Sequence, residues 1–125
     1  MKIFLSLPMS GRTDEEIRDQ IDEMERIIIE SKLFEGQEIE FVHNFDNDID
    51  PNGCLDLKHE PLLYLGEAIR KMAFCDAIAL GKGWNKAHGC NIEYDAARLY
   101  GLFSFRCYSA EHLKEQSIRK HWFAE

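Results

Sequence analysis

The sequence lacks any apolar run that approaches the roughly 18 residues of a membrane-spanning helix. It also lacks the basic and apolar opening of a secretory signal peptide, since residues 2–7 (KIFLSL) are typical of a strand. Positive charge is scarce as well. The 15 basic and 23 acidic side chains leave a net charge of −8, which argues against nucleic-acid binding. These absences predict a cytoplasmic protein that binds neither membranes nor nucleic acids.

Paired cysteines are also missing. The four cysteines are scattered and form no CxxC pair, so the sequence indicates no disulfide framework. His88 and Cys90 lie two residues apart, but no second pair with metal-ligand spacing accompanies them. We therefore expect reduced thiols, with Cys75 and Cys107 buried, and neither a metal nor a cofactor. A length of 125 residues predicts one domain spanning residues 1–125.

The chain does contain short apolar strands that alternate with amphipathic helices. The strands are predicted at residues 2–7, 38–42, 77–80 and 103–107. The helices are predicted, from apolar residues at helical spacing, at residues 14–32, 62–72, 90–100 and 110–119. Thr13 begins a capping box for the first helix. In the third helix, Ile92, Ala96 and Leu99 are predicted to face the core.

Strands that alternate with helices predict an α/β fold in three layers, with a parallel sheet between two layers of helices. Right-handed crossovers and a central first strand give the order 2-1-3-4, with room for a short additional strand. The ligand crevice of such a sheet lies beyond the carboxyl ends of strands one and three, where the strand order reverses. Residues 7–12 and 81–93 are expected to meet there.

Glu93 is the strongest candidate for a functional residue in this crevice. It follows a glycine-rich loop and falls in the first turn of a helix predicted to begin near Gly89. The free backbone N–H groups of that turn are expected to keep the carboxylate ionised, as a nucleophile or a hydrogen-bond acceptor. The alternative is that Glu93 only stabilises the helix N-terminus. For Cys90, a lowered pKa is possible at this position, although a packing or ligand-contact role is favoured.

The turn after strand one is a second candidate region. Ser10 and Gly11 offer backbone N–H groups at a helix start and Arg12 adds a planar cation, a combination that suits a phosphate or a carboxylate. The alternative for Arg12 is a solvated surface charge. Trp84 lies in a loop flanked by glycines and could stack on a planar base or a sugar. Its alternative is to cover the end of the sheet.

Two polar or terminal segments carry weaker signals. The long connection at residues 43–61 has the length of a functional loop. Its aspartates at 46, 48 and 50 begin like a calcium-binding loop, but Pro51 occupies the position of the required glycine, which excludes an EF-hand. The apolar tail at residues 121–123 (HWF) is expected to pack on the body of the protein or on a partner.

Residues 3–12 (IFLSLPMSGR) and 89–93 (GCNIE) resemble the nucleoside 2-deoxyribosyltransferase superfamily. The chain is more similar to a small uncharacterised branch of that superfamily in bacteria and phages. Residues 64–66 (YLG), 75–77 (CDA) and 82–84 (KGW) share this likeness, which extends over roughly residues 2–107.

The resemblance implies a flavodoxin-like or Rossmann-like sheet and a homodimer or higher homo-oligomer. It also implies cleavage of the N-glycosidic bond of a deoxynucleoside or its 5′-monophosphate, by transfer or by hydrolysis. Glu93 falls on the nucleophile, which would form a glycosyl ester. Glu67 falls, by approximate position, on the acid that protonates the leaving base. The residues then expected to bind substrate are Ser10, Gly11, Arg12, Trp84, Gly89 and Cys90.

Departures from the family's pattern keep a second function open. Phe4 stands where the family commonly has a tyrosine that orients the nucleophile. An aspartate that usually precedes the Gly-x-x-x-Glu stretch is replaced by Asn85 or Ala87. The alternative is therefore a protein that binds or sequesters a nucleotide-derived molecule without turning it over. Asp76, just before strand three, is predicted to be structural and to lie at the opposite end of the sheet.

Overall fold

The structure is a computed structural model that describes residues 1–45 and 49–116. Three predictions lie wholly or partly outside these ranges. They concern the aspartates at 46 and 48, the end of the last helix at 117–119, and the apolar tail at 121–123.

The described residues form four strands and four α-helices in alternation. In chain order they are β1 (Lys2–Ser6), α1 (Asp14–Ser31), β2 (Glu40–Val42), α2 (Glu60–Met72), β3 (Ala77–Gly81), α3 (His88–Leu99), β4 (Phe103–Cys107) and α4 (Ala110–Glu115). Short 3₁₀ turns occupy Pro51–Gly53 and Trp84–Lys86. The strands pair in parallel in the order β2-β1-β3-β4. The predicted α/β three-layer sandwich and its strand order are confirmed.

Helices cover both faces of the sheet because successive residues of each strand point to opposite sides. On one face, α1 and α4 pack over Ile3, Leu5 and Phe105. On the other, α2 and α3 pack over Phe4 and Ile78. Both clusters consist of apolar side chains. β3 is buried along its whole length, whereas in β4 the buried Phe105 and Cys107 flank the exposed Arg106.

The first helix begins at a capping box. The Thr13 side chain accepts a hydrogen bond from the Glu16 N–H, and the Glu16 side chain accepts one from the Thr13 N–H, so the predicted capping box is confirmed. Ile17, Ile21 and Met24 then form its buried stripe. This helix therefore places the residues before Thr13 at a defined point beyond the end of β1.

The third helix is rotated relative to the prediction. Ile92 and Leu99 were expected to face the core, but they are 47% and 66% exposed, so that prediction was wrong. The buried residues are Cys90, Glu93 and Ala97. The helix carries two stripes at helical spacing, and periodicity alone does not say which one meets the sheet. The stripe that ends in the small Ala97 is the one that packs against the sheet.

The last helix has a defined end within the described residues. It ends at Glu115, and Gln116 has an extended backbone. The Gln116 side chain accepts from the Arg106 N–H at 2.8 Å and donates to the Arg106 carbonyl at 2.6 Å. These bonds satisfy backbone groups on the outer edge of β4, which would otherwise be unpaired there. The side chain can make them because the backbone leaves the helix at this residue.

The two ends of the sheet have different roles. At the amino end, the Asp76 carboxylate accepts a hydrogen bond from the Lys2 backbone N–H at 2.8 Å, and the Asp76 N–H donates to the Lys2 carbonyl. The structural role predicted for Asp76 is confirmed. The carboxyl ends of β1 and β3 are therefore the ends available for a site. No helix in the described part of the chain is long and apolar enough to cross a membrane.

Candidate active site

A cavity of about 640 Å³ opens beyond the carboxyl ends of β1 and β3. Its walls are the loop after β1, the first turns of α2 and α3, and the loop that connects β3 to α3. Its volume is in the range of small-molecule sites. The polar side chains that line it include Ser10, Asn44, Tyr64, Lys86, His88 and Glu93. The crevice predicted from the strand order is thus present, with Glu93 in its wall.

A hydrogen bond from Ser6 holds the Glu93 carboxylate in place. The Ser6 hydroxyl donates to Glu93 Oε1 at 2.7 Å, between residues that are 87 positions apart in the chain. Ser6 is the last residue of β1 and is 1% exposed, whereas Glu93 is 9% exposed. Ser6 was missed by the sequence analysis. The available signal was a lone hydroxyl in an apolar strand, two residues after Phe4 and therefore on the same face.

Burial, rather than the helix N-terminus, controls the ionisation of Glu93. The helix begins at His88, so Glu93 is in its second turn and not beside the free N–H groups of the first. Burial raises the pKa of Glu93 to about 7, although the Ser6 hydrogen bond lowers it in part. The expectation that this carboxylate is fully ionised was therefore wrong. The pKa of Glu93 is thus shifted towards neutral pH, as is common for carboxyl groups in active sites.

The second oxygen of Glu93 has no described donor. Among residues 1–45 and 49–116, only Ser6 donates a hydrogen bond to this carboxylate, and it does so at Oε1. Because Glu93 lines the cavity, Oε2 is the atom left to meet a ligand. The carboxylate is thus oriented through one oxygen, and a carboxylate nucleophile would use the other.

Cys90 lies beside this pair as a neutral thiol. Burial raises its pKa to about 11. The lowered pKa considered for this helix position is therefore wrong, because loss of solvent outweighs the helix N-terminus. Cys90 lines the cavity and serves there as a small polarisable wall.

Ser10 and Gly89 lie where the sequence analysis expected them, in the wall of the same cavity. Gly89 is in the first turn of α3. The residue before that helix, Ala87, has no side-chain acceptor and so does not cap the first N–H groups of α3. Ser10, Gly89, Cys90 and Glu93 are therefore the predicted site residues that the structure brings together.

Trp84 is engaged elsewhere. Its indole N–H donates to the Tyr108 hydroxyl at 2.8 Å, and its ring packs against Tyr94 with centroids 5.0 Å apart. It is not among the residues that line the cavity. These contacts correspond to the alternative role considered above, in which Trp84 covers the end of the sheet. They also anchor the loop that contains it.

Arg12 faces a different cavity. Its guanidinium donates to the Pro8 carbonyl at 2.7 Å, to the Glu16 carbonyl at 3.2 Å and to the Gln20 side chain. It lines a neighbouring cavity of about 540 Å³ on the α1 side of the sheet. Gly11 is not among the residues that line the cavity at Glu93, although its positive φ of 76° forms the turn. The Ser10-Gly11-Arg12 segment is thus divided between the two cavities.

Glu67 pairs with Arg70 on the same helix. The two side chains approach to 2.6 Å, and the hydrogen bond with Arg70 lowers the pKa of Glu67. A general acid needs a raised pKa, because it must hold its proton at neutral pH. Glu67 is also absent from the residues that line the cavity. In this conformation it does not have the properties expected of a proton donor to a leaving base.

Metal ligands do not gather in the part of the chain that the structure describes. No group of three or more His, Cys, Asp or Glu side chains there could hold a metal ion.

No family model, no curated protein and no solved structure matches this chain at a significant level. The resemblance to the nucleoside 2-deoxyribosyltransferase superfamily stays a prediction from the sequence. The function has to be inferred from the geometry and chemistry of the site.

Proposed function

We propose that this protein cleaves the N-glycosidic bond of a 2-deoxynucleoside or its 5′-monophosphate, with Glu93 as the nucleophile. The observation that carries the proposal is the Ser6–Glu93 hydrogen bond at the wall of a cavity large enough for a nucleoside. Ser6 supplies from β1 the hydroxyl that Phe4 lacks. The orienting group expected from the resemblance is thus replaced by one two residues further along the same strand face.

The proposed reaction has two displacements. Glu93 Oε2 attacks the anomeric carbon, the bond from that carbon to the base nitrogen breaks, and its electron pair leaves with the base. The base takes a proton from water or from its hydrogen-bonding partners, and the sugar becomes an ester of Glu93. A water molecule or a second base then attacks the same carbon and restores the Glu93 carboxylate. The attacking group releases its proton to solvent.

Groups on the α2 side of the cavity suit the base. Tyr64 lines the cavity, and desolvation and its hydrogen bond with the Glu60 carboxylate raise its pKa, so its phenol oxygen is left to accept a hydrogen bond from the base. Leu65, the next residue along α2, contributes apolar surface to the same cavity. Aromatic and apolar walls with a few polar groups are typical of sites for planar ligands.

One observation favours a binding protein as a second candidate. Glu67, expected to be the acid, is an ion-paired carboxylate that does not line the cavity. Without an acid, departure of the base would be slow. A nucleotide-binding protein would keep the cavity and the Ser6–Glu93 pair without turnover.

The homo-oligomer implied by the resemblance is kept as a proposal. The exposed stripe formed by Ile92 and Leu99 on α3 is the kind of surface that a subunit contact would bury.

The proposed reaction is tested by incubating the protein with each 2-deoxynucleoside and each 5′-monophosphate, with and without a second free base. We expect chromatography to show release of free base and, where a second base is present, exchange into a new nucleoside. Binding of these compounds by calorimetry without base release would favour the second candidate. If the protein neither binds these compounds nor releases a base from them, both candidates are overturned.

Removing the Ser6 hydroxyl should change the pH dependence of the reaction. The Ser6 hydrogen bond lowers the pKa of Glu93, so Ser6→Ala should raise that pKa by about one unit. Since the ionised form attacks, kcat/KM at about pH 6 should fall roughly tenfold, with a smaller loss at about pH 9. The measurement is the pH profile of kcat/KM for both proteins. An equal loss at every pH would mean that Ser6 orients Glu93 or supports the fold without lowering its pKa.

A further inference from the structure

The two loops that bound the cavity also contact each other. Pro8 belongs to the loop after β1, and Gly83 belongs to the loop after β3. A Cβ placed on Gly83 would lie 3.2 Å from Pro8 Cγ, which is tighter than ordinary van der Waals contact. Gly83 also has a positive φ of 85°. The position of one loop therefore depends on the position of the other.

A chain of hydrogen bonds joins the same loops on the side away from Glu93. Arg12 donates to the Pro8 carbonyl at 2.7 Å and also to the Gln20 side chain. Gln20 in turn donates to the Lys82 carbonyl at 3.1 Å. Through α1, the carbonyl of Pro8 is thereby connected to the carbonyl that follows β3.

Local structure makes this chain of bonds possible. Gly11 allows the turn in which the Arg12 N–H donates to the Met9 carbonyl at 3.2 Å, and this turn directs the guanidinium back towards Pro8. Gly81 allows α1 to approach the end of β3. A Cβ there would lie 2.7 Å from Met24 Sδ and 2.8 Å from Gln20 Nε2. Gln20 can reach the Lys82 carbonyl because of this close approach.

We infer that Arg12 and Gln20 are positioning residues that hold the cavity wall at residues 7–10 in place relative to Glu93. The inference rests on the proposed function for its catalytic consequence, although the positioning itself does not depend on turnover. An arginine suits this role because its planar fork donates to several acceptors at once. The Arg12 donors are directed to Pro8, Glu16 and Gln20. This differs from direct binding of a ligand phosphate, the role that the sequence suggested.

The test compares Arg12→Ala, Arg12→Lys and Gln20→Met with the unmodified protein. Arg26→Ala is the matched control, because Arg26 lies on α1, the helix that carries Gln20, and forms an exposed pair with Glu30. Hydrogen exchange followed by mass spectrometry reports the amides of residues 7–12 and 82–86 without any substrate. Exchange there should increase in the three test variants and not in the control. Kinetics should show kcat/KM lowered by about ten- to a hundredfold in all three, equally for a nucleoside and for its monophosphate.

The outcomes separate the two proposals. Unchanged exchange in Arg12→Ala and Gln20→Met would overturn the positioning role whatever the activity. A loss confined to the monophosphate in Arg12→Ala, with Gln20→Met unaffected, would overturn it in favour of direct phosphate contact. Increased exchange in a protein that turns over no nucleoside would support the positioning role and refute only the proposed reaction. Arg12→Lys retains the charge but not the planar fork of the guanidinium. Exchange as fast in Arg12→Lys as in Arg12→Ala would therefore show that the geometry of the fork is required.

Discussion

Glu93→Gln should abolish base release, with a loss of roughly 10³- to 10⁶-fold in kcat. The amide is nearly the size of the carboxylate and can still accept a hydrogen bond from Ser6, which lies 2.7 Å from Oε1 in the native protein. It cannot form a glycosyl ester, because a neutral amide oxygen is a poor nucleophile. The measurement is the rate of free-base release by chromatography under saturating substrate.

The matched control for this variant is Asp95→Asn. Asp95 lies on the same helix, is exposed and pairs with Arg98 at 3.5 Å. Loss of that carboxylate should leave turnover unchanged. Turnover by Glu93→Gln at the native rate would show that the nucleophile lies elsewhere. Tight nucleoside binding by Glu93→Gln, with turnover lost, would assign Glu93 to the chemical step rather than to binding.

The same substitution should also stabilise the fold, in a way that depends on pH. The pKa of Glu93 is about 7 in the folded protein and near its ordinary value of 4.5 when the chain unfolds. As pH rises from 4.5 to 7, the unfolded state loses its proton first, so stability falls across this window. Glu93→Gln carries no such proton. It should match the native protein below the window and be about 2–3 kcal/mol more stable above it.

Urea unfolding at acidic, neutral and alkaline pH measures this difference. Glu67→Gln is an informative comparison because the pKa of Glu67 is lowered, by Arg70 above all, so the sign is reversed. Its removal should decrease stability at neutral pH and have no effect at pH values where the carboxyl is protonated in both states. If Glu93→Gln gained nothing above neutral pH, the carboxylate would not be buried at a cost. Its raised pKa would then no longer support a functional role for Glu93.

A cost of this kind is what an active site would be expected to carry. A buried carboxylate reduces the stability of the fold at physiological pH, and its partners compensate only in part. Ser6 is the described donor to that carboxylate. Phe4, which lies on the same face of β1 as Ser6 and also lines the cavity, is 1% exposed, so Glu93 has an apolar neighbour on the sheet. The stability experiment therefore tests the site without depending on knowledge of the substrate.

Much of the architecture was determined by the sequence alone. Apolar strands of four to six residues, helical periodicity and the Thr13 capping box are local signals, and each depends on neighbours close in the chain. Right-handed crossovers then leave few arrangements of four parallel strands. For these reasons the order β2-β1-β3-β4 and a crevice at the ends of β1 and β3 were predictable. Glu93 could be placed there because its segment follows β3 directly.

The tertiary structure alone decided the chemistry at that place. The Ser6–Glu93 hydrogen bond joins residues 87 positions apart, and no local sequence pattern predicts that pairing. The pKa of Glu93 follows from how deeply α3 is seated, and that seating also determined that Ile92 faces solvent. The direction of Arg12, towards Gln20 rather than into the cavity, depends on how closely α1 approaches β3. Periodicity and capping are properties of a segment, whereas burial, ionisation and long-range hydrogen bonds exist only once segments have packed together.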